Sequence, residues 1–265
     1  MNKVVIRAFR ATDDPDACRK YLEGHRRVLE AHGVKKVSSA SNDWMENPSV
    51  YVVSVEDTSG ERVLGGSRIH AADGVHPLPF ELATGYMDPK IYERVHASRE
   101  KGAAEICGLW NSVEVAGLGI GSYFATRAAV CVVSQLGIRS IWALCAPYTI
   151  RWSKRLGYDV VTELGKDGTF YYPKLNLLAT IVLNQDTEDL SAVRPHEQEK
   201  IEELKDQPDQ VRVESPPGKR FEVEIDYRLR LNNLELESPY AIGEVGPREP
   251  WPFEDDKEFE QLPEF

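Results

Sequence analysis

Residues 104–122 read AEICGLWNSVEVAGLGIGS, and YFATRAAVCVVSQLGI continues from Tyr123 to Ile138. Ala103 to Val113 is apolar with few charges, the pattern of a central strand. Gly117-Leu118-Gly119-Ile120-Gly121 then breaks the run, and Ser122 to Leu136 is the apolar pattern of a buried helix stopped by Gly137. Strand, glycine turn and helix together make an anion site. The first amides of a helix have no intrahelical partner, the helix dipole favours negative charge there, and glycines let phosphate approach the backbone.

Several readings of this turn compete. A phosphate loop of the nucleotide-triphosphatase kind needs a lysine after its last glycine, and Ser122 follows Gly121. A dinucleotide fingerprint belongs to the first strand of a sheet and spaces its third glycine differently. A loop for the pyrophosphate of coenzyme A fits the pattern. A tight turn that serves only helix–strand packing also fits.

Outward from this stretch the pattern alternates strands and helices. Val4 to Phe9 reads as a strand. Thr12-Asp13-Asp14-Pro15 starts a helix running from Ala17 to His32, with Gly33 as its stop. Val50 to Val55 and Arg62 to His70 form a hairpin over Asp57-Thr58-Ser59-Gly60, and Gly65-Gly66 marks a bulge or a close backbone approach. Pro77 to Glu81 breaks the pattern, and Pro89 to Ser98 is a short helix. Ile138 to Ala146 is a buried strand and Thr149 to Leu156 a short helix. Further strands lie around Phe170 to Tyr172 and Leu177 to Leu183. The order predicts one mixed α/β domain over residues 1–186. Residues 187–231 read as an extension: a charged helix from Pro195 to Leu204, then strands at Gln210 to Glu214 and Phe221 to Leu231. Residues 232–265 form a tail with ten acidic residues, two basic ones and five prolines, a composition that favours extended chain over helix.

Composition narrows the partners. The chain has 265 residues, 42% hydrophobic residues and a formal charge of −11, which argues for a folded body and against nucleic acid. No apolar run approaches the length of a membrane span, and the apolar start is too short for a signal peptide, so the expected compartment is the cytoplasm. The four cysteines are far apart and have no histidine at zinc spacing, so no metal is expected.

Glu105 to Tyr158 resembles the core of the GNAT acyltransferase superfamily. The pieces that carry the likeness are AEICGLWNSVEV, AGLGIGS, YFATRAAVCVVSQLGI, RSIWALCAP and RWSKRLGY, and the resemblance extends from about Val4 to Leu183. It implies an α/β mixed sheet whose two central parallel strands splay apart to admit pantetheine. It also implies acetyl-CoA or a longer acyl-CoA as co-substrate, with an acyl carrier protein as the other source of thioester. Pantetheine contacts would fall on the backbone of Asn111 to Val113. Pyrophosphate contacts would fall on the amides of Gly117, Leu118, Gly119, Ile120, Gly121 and Ser122.

Within the superfamily, Gly65-Gly66-Ser67-Arg68 and Ala104-Glu105-Ile106-Cys107-Gly108-Leu109 are similar to the acyl-homoserine-lactone synthase and N-acyl amino acid synthase branch. Three positions depart from the pattern. Ala116 replaces the usual Arg or Gln, Gly108 stands where an arginine is expected, and Ser153 replaces the tyrosine that is the usual general acid.

Acyl transfer to a small-molecule amine needs a base for the ammonium, polarisation of the thioester carbonyl and a proton for the leaving thiolate. Glu105 is the leading base, because the resemblance puts a glutamate there and a charged residue opening a buried strand needs a reason. A structural pairing with Arg68 or Arg127 would be such a reason too. His70 and Glu81 flank the expected acceptor cleft as further catalytic candidates. Tyr148 and Cys145 are more simply packing residues. The alternative to an enzyme is a GNAT-fold sensor or assembly module that binds the thioester without turnover. The tail's aromatics, Trp251, Phe253, Phe259 and Phe265, would anchor it to its own domain or to a twin subunit of a homodimer.

Overall fold

The structure, a computed structural model, describes residues 3–31, 42–172, 177–216 and 218–232. Gly33, the expected helix stop, and the tail beyond Asn232 lie outside the described residues.

Among the described residues, ten strands form one mixed sheet. β1 (Lys3–Arg10), β2 (Val50–Glu56), β3 (Val63–Ala71) and β4 (Ala103–Asn111) lie side by side and antiparallel. β2 and β3 are buried along their whole length, which is why Val50–Val55 and Val63–Leu64 are mostly apolar, while β3 also buries the polar Ser67, Arg68 and His70. β5 (Ser140–Cys145) runs parallel to β4, and β8 (Leu177–Asn184) runs antiparallel to β5. β6 (Asp159–Val160) and β7 (Thr169–Tyr172) pair with the outer edge of β8. At the other end of the sheet, β10 (Val223–Arg228) lies parallel to β1, and β9 (Asp209–Glu214) closes the edge. The extension of residues 187–231 thus adds strands to the same sheet as β1.

One face of the sheet carries α4 (Ala125–Gln135), covered in turn by α6 (Pro195–Asp206). This position between sheet and helix explains why α4 is apolar nearly all round. The opposite face carries α1 (Pro15–Ala31), α2 (Pro79–Thr84) and α3 (Lys90–Ser98), with two apolar clusters beneath them. α5 (Pro147–Ser153) follows β5. Asp14 caps α1 by accepting the Ala17 amide at 3.0 Å.

Some boundaries differ from the sequence reading. The segment read as a break at Pro77–Glu81 contains α2, a helix too short to show a period, opened by Pro79 at its first turn. β4 ends at Asn111, and Val113 sits in a separate 3₁₀ turn, Val113–Val115. The helix expected from Ser122 begins with a π-helical turn, Ile120–Phe124, before α4. Only Val223–Arg228 of the expected Phe221–Leu231 strand is paired. Among the described residues, no helix is long and apolar enough to cross a membrane.

Candidate active site

The parallel pair β4–β5 holds together only at Ala103–Ser140, Ala104–Ile141 and Glu105–Trp142. Both strands continue past that point, so residues 106–111 of β4 have no β5 partner. The sheet forks there, and Glu105 stands at the crotch of the fork.

Local packing explains why a carboxylate is kept at this place. Trp142, the register partner of Glu105, is fully buried, and the Phe80 ring stacks on it with centroids 5.4 Å apart. That stack docks α2 so that the Phe80 amide donates to Glu105 Oε2 at 2.8 Å. Glu81 folds back to accept the Leu78 amide at 2.7 Å, so its carboxylate caps α2. Burial pushes the Glu105 carboxyl up to about 8; the Phe80 amide and Arg68 oppose the rise, and nearby Glu81 adds to it. Glu105 therefore exchanges its proton near neutrality.

The β3–β4 register sets His70 opposite Glu105 and Arg68 opposite Cys107, which brings all four to one face of the sheet. Among the described residues, the buried His70 Nε2 has no hydrogen-bond partner. Burial, then the Arg68 charge, keeps the His70 imidazole neutral well below its ordinary value. The Arg68 guanidinium lies 4.7 Å over the Trp44 ring, and burial drives the Cys107 thiol opposite it up to about 12. Gly108 makes this possible. Its φ is +58°, and a Cβ there would come within 2.9 Å of Arg68 Nε. The guanidinium expected on position 108 is thus met in space by one from the neighbouring strand.

Helix α1 closes the cluster. The Tyr21 hydroxyl donates to the Gly108 carbonyl, and the His25 ring stacks on Trp110 at 6.2 Å. Burial first, then Arg68, lowers His25 to about 4, so it is neutral at neutral pH. Sequence reasoning missed Tyr21 and His25 as parts of this site, because their helical spacing signals only a buried face. A surface hollow of about 450 Å³ over the start of α1, lined by Thr12, Pro15 and Asn42, does not include the fork residues.

The glycine turn lies beside the open side of the fork. Gly117 and Gly119 have φ of +72° and +76°, and the Gly119 carbonyl accepts the Tyr123 amide at 2.9 Å. The Gly65-Gly66 pair shows the expected close approach. A Cβ on Gly65 would fall 2.6 Å from the Trp110 carbonyl oxygen and 3.0 Å from Gly121 Cα, and the β3–β4 register shifts at Gly66. Asn111 Oδ1 faces Gly121, Ile120 is buried, Leu118 is half-buried and Val113 is 78% exposed. The structure thus gathers Asn111 and Gly117–Gly121 at one end of β4, and Glu105 with His70 at the fork, while Glu81 turns into its own helix. The side chains of Ser122 and Tyr148 lie outside the described set.

At the end of β5, Cys145 Sγ lies 3.4 Å from Ser153 Oγ. Tyr158, whose charge interaction is with Cys145, is buried, and its hydroxyl has no hydrogen-bond partner among the described residues. It is a phenol near the position where the resemblance expects one, and the motif LGY marks it in the sequence.

No protein-family model and no curated protein sequence matches the chain. Solved structures do. FeeM, an N-acyl amino acid synthase from uncultured soil microbes, aligns over 75% of this chain and 98% of its own at 17% identity, with a TM-score of 0.54. The acyl-homoserine-lactone synthase LasI aligns over 73% and 95% at 14% identity and a TM-score of 0.53. BjaI, a CoA-dependent acyl-homoserine lactone synthase solved with SAM and isopentyl-CoA, aligns over 80% and 94% at 13% identity and 0.50.

The chain has the GNAT-like acyltransferase fold. The aligned structures are synthases of the kind that the sequence motifs resembled, and β4 and β5 part after Glu105 as that resemblance implied. Arg68 and Glu105, named in the sequence from two separate motifs, meet on one face of the sheet.

Proposed function

We propose that this protein is an N-acyltransferase that moves an acyl group from a coenzyme A thioester to the amine of a small acceptor. The observation that carries the reading is the buried carboxylate of Glu105 at the fork, with its proton exchanging near pH 8. The glycine turn offers helix-start amides to the donor's pyrophosphate, and the unpaired stretch of β4 offers backbone to pantetheine. An acyl carrier protein is the other thioester source, and the fork accepts the same pantetheine arm from either.

The chemistry balances with few groups. Glu105 takes the proton of the acceptor ammonium, and the free amine attacks the thioester carbonyl. Collapse of the tetrahedral intermediate breaks the C–S bond, the nitrogen gives up its second proton to become the amide, and the thiolate takes up a proton. A base near pH 8 matches an amine better than an ordinary carboxylate does. His70 lies opposite Glu105 in the strand register and stays neutral, so it lines the fork without taking up the proton, and the Tyr158 phenol is the candidate proton source for the thiolate. The positive charge of Arg68 on the same face favours an acceptor with a carboxylate beside its amine. The name of FeeM, an N-acyl amino acid synthase, supports that choice, because an amino acid carries a carboxylate beside its amine.

The Phe80 amide bond favours a second reading in which Glu105 only caps α2 and the fold binds thioester without turnover. One assay separates the two. Acetyl- and longer acyl-CoA are mixed with a panel of amines and amino acids, and released thiol is followed. Turnover by the wild type and its loss in Glu105→Gln supports the enzyme, since glutamine still accepts the Phe80 amide but is not a base. Tight CoA binding with no turnover on any acceptor supports the module.

A further inference from the structure

The residues after Asp186 form a buried polar joint with the glycine turn. Arg127, fully buried on α4, donates from Nε to Glu197 Oε2 of α6 at 2.9 Å and is paired with Glu214 of β9. Glu214 also accepts the Tyr227 hydroxyl at 2.7 Å and Lys200 Nζ at 2.9 Å. Burial alone would raise the Glu214 carboxyl, and its cationic and hydroxyl partners instead hold it at about 2. The joint reaches into the turn itself. The Arg127 guanidinium lies 5.3 Å over the Tyr123 ring and 5.1 Å over Phe124, and the Tyr123 phenol, raised first by burial, is raised further by its bond to Glu197. Tyr123 and Phe124 belong to the π-helical turn that opens with Ile120.

From Glu214 the chain turns back over the glycine loop. Pro216 is buried, and its Cβ lies 3.5 Å from where a Cβ on Gly119 would stand. The Lys219 amide donates to the Pro216 carbonyl at 3.0 Å, so a tight turn delivers Lys219 and Arg220 directly after the contact. Both side chains are exposed, and neither forms an ion pair with any described residue. At the other end of the same loop stands Ala116, where the resemblance expects a cation or amide for phosphate.

We infer that the C-terminal extension is part of the donor site: the Arg127–Glu214 joint holds the β9–β10 turn against Gly119, and Lys219 and Arg220 bind the donor's phosphates in place of the group missing at position 116. The inference rests on the acyl-CoA reading above and adds to it a phosphate subsite built by residues 187–231. It has a physical reason. An exposed ammonium or guanidinium is flexible, and only a buried joint fixes its backbone near enough to the loop for a phosphate to bridge them. The arrangement also sets two positive charges at the donor entrance of a chain whose net charge is strongly negative.

The test is calorimetric titration of the full chain with CoA and with acetyl-pantetheine, which lacks the nucleotide phosphates. The wild type is compared with Lys219→Glu/Arg220→Glu and with the neutral Lys219→Gln/Arg220→Gln. Charge reversal is expected to weaken CoA about tenfold or more, the neutral pair less, and acetyl-pantetheine not at all. The CoA difference should shrink as salt is raised, because exposed charges are screened. Equal CoA affinity in wild type and reversed variant, both folded by thermal melt, overturns the inference and leaves the donor reading intact. No CoA binding by the wild type itself overturns the donor reading and this inference with it.

Discussion

Glu105 is held by three constraints at once: the Phe80 amide, the neighbouring Glu81 carboxylate and full burial. The sign of its effect on stability follows. Its folded pKa lies above the ordinary 4.5, so the folded protein binds that proton more tightly than the unfolded chain. The stability it contributes is complete below 4.5 and is lost as pH rises through about 8. Glu105→Gln is expected to remove this decline, and urea midpoints measured across that window should converge for wild type and variant at low pH and separate as pH rises. The proposed catalytic role predicts the opposite trend in rate. Turnover should rise with pH toward about 8 as Glu105 ionises, and the glutamine variant should lose that limb along with about a hundredfold or more of the rate. A variant that keeps the rising limb would assign it to another group.

The glycine turn and the β3 glycines act as a pair of elements that must approach each other. Gly65→Ala puts a methyl 2.6 Å from the Trp110 carbonyl oxygen, against backbone that cannot swing aside, and 3.0 Å from Gly121 Cα. Overpacking of this kind costs roughly 1–3 kcal/mol, and here it also displaces the glycine turn. Gly117→Ala meets nothing within 4 Å, so only its left-handed backbone at φ +72° resists, a cost of about 1 kcal/mol. Urea unfolding of both variants, with CoA titration alongside, is expected to show Gly65→Ala losing more stability and more affinity. Equal effects would mean that β3 does not brace the turn.

Across the molecule, the buried joint of Arg127 with Glu197 and Glu214 ties α4 to α6 and β9. Arg127→Met removes the buried guanidinium shared by Glu197 and Glu214, leaving Glu214 with Lys200 at 2.9 Å, and is expected to cost about 3–5 kcal/mol, read from the unfolding midpoint. The joint also has an acid limit. Glu214 has a folded pKa held near 2, below the ordinary 4.5, so its contribution is complete above 4.5 and fades as pH falls toward 2. Glu214→Gln should be less stable than wild type at neutral pH, and the gap should close over that acid window. A gap that stays constant would place the joint's strength in packing rather than charge.

Much of this was legible without the fold. The strand–turn–helix at Ala103–Leu136 and the glycine pair of the hairpin are short-range patterns, and a central strand, a turn and a buried helix follow from hydrophobic period and glycine placement alone. Glu105 stood out because a charge at the start of an apolar strand is costly unless something compensates it. What compensates it could not be read: Phe80 is 25 residues away in the chain, inside a helix six residues long that has no period to detect. The pairing of Arg127 with Glu214 spans 87 residues, and periodicity marks each residue only as helix or strand. Local sequence determined which segments become strands, where the glycine turn sits and that one carboxylate needed an explanation. Tertiary structure alone decided that β4 and β5 part at that carboxylate, that Arg68 occupies the space left by Gly108, and that the last strands return to lie beside the first. Those outcomes depend on register and long-range packing, which no local spacing encodes.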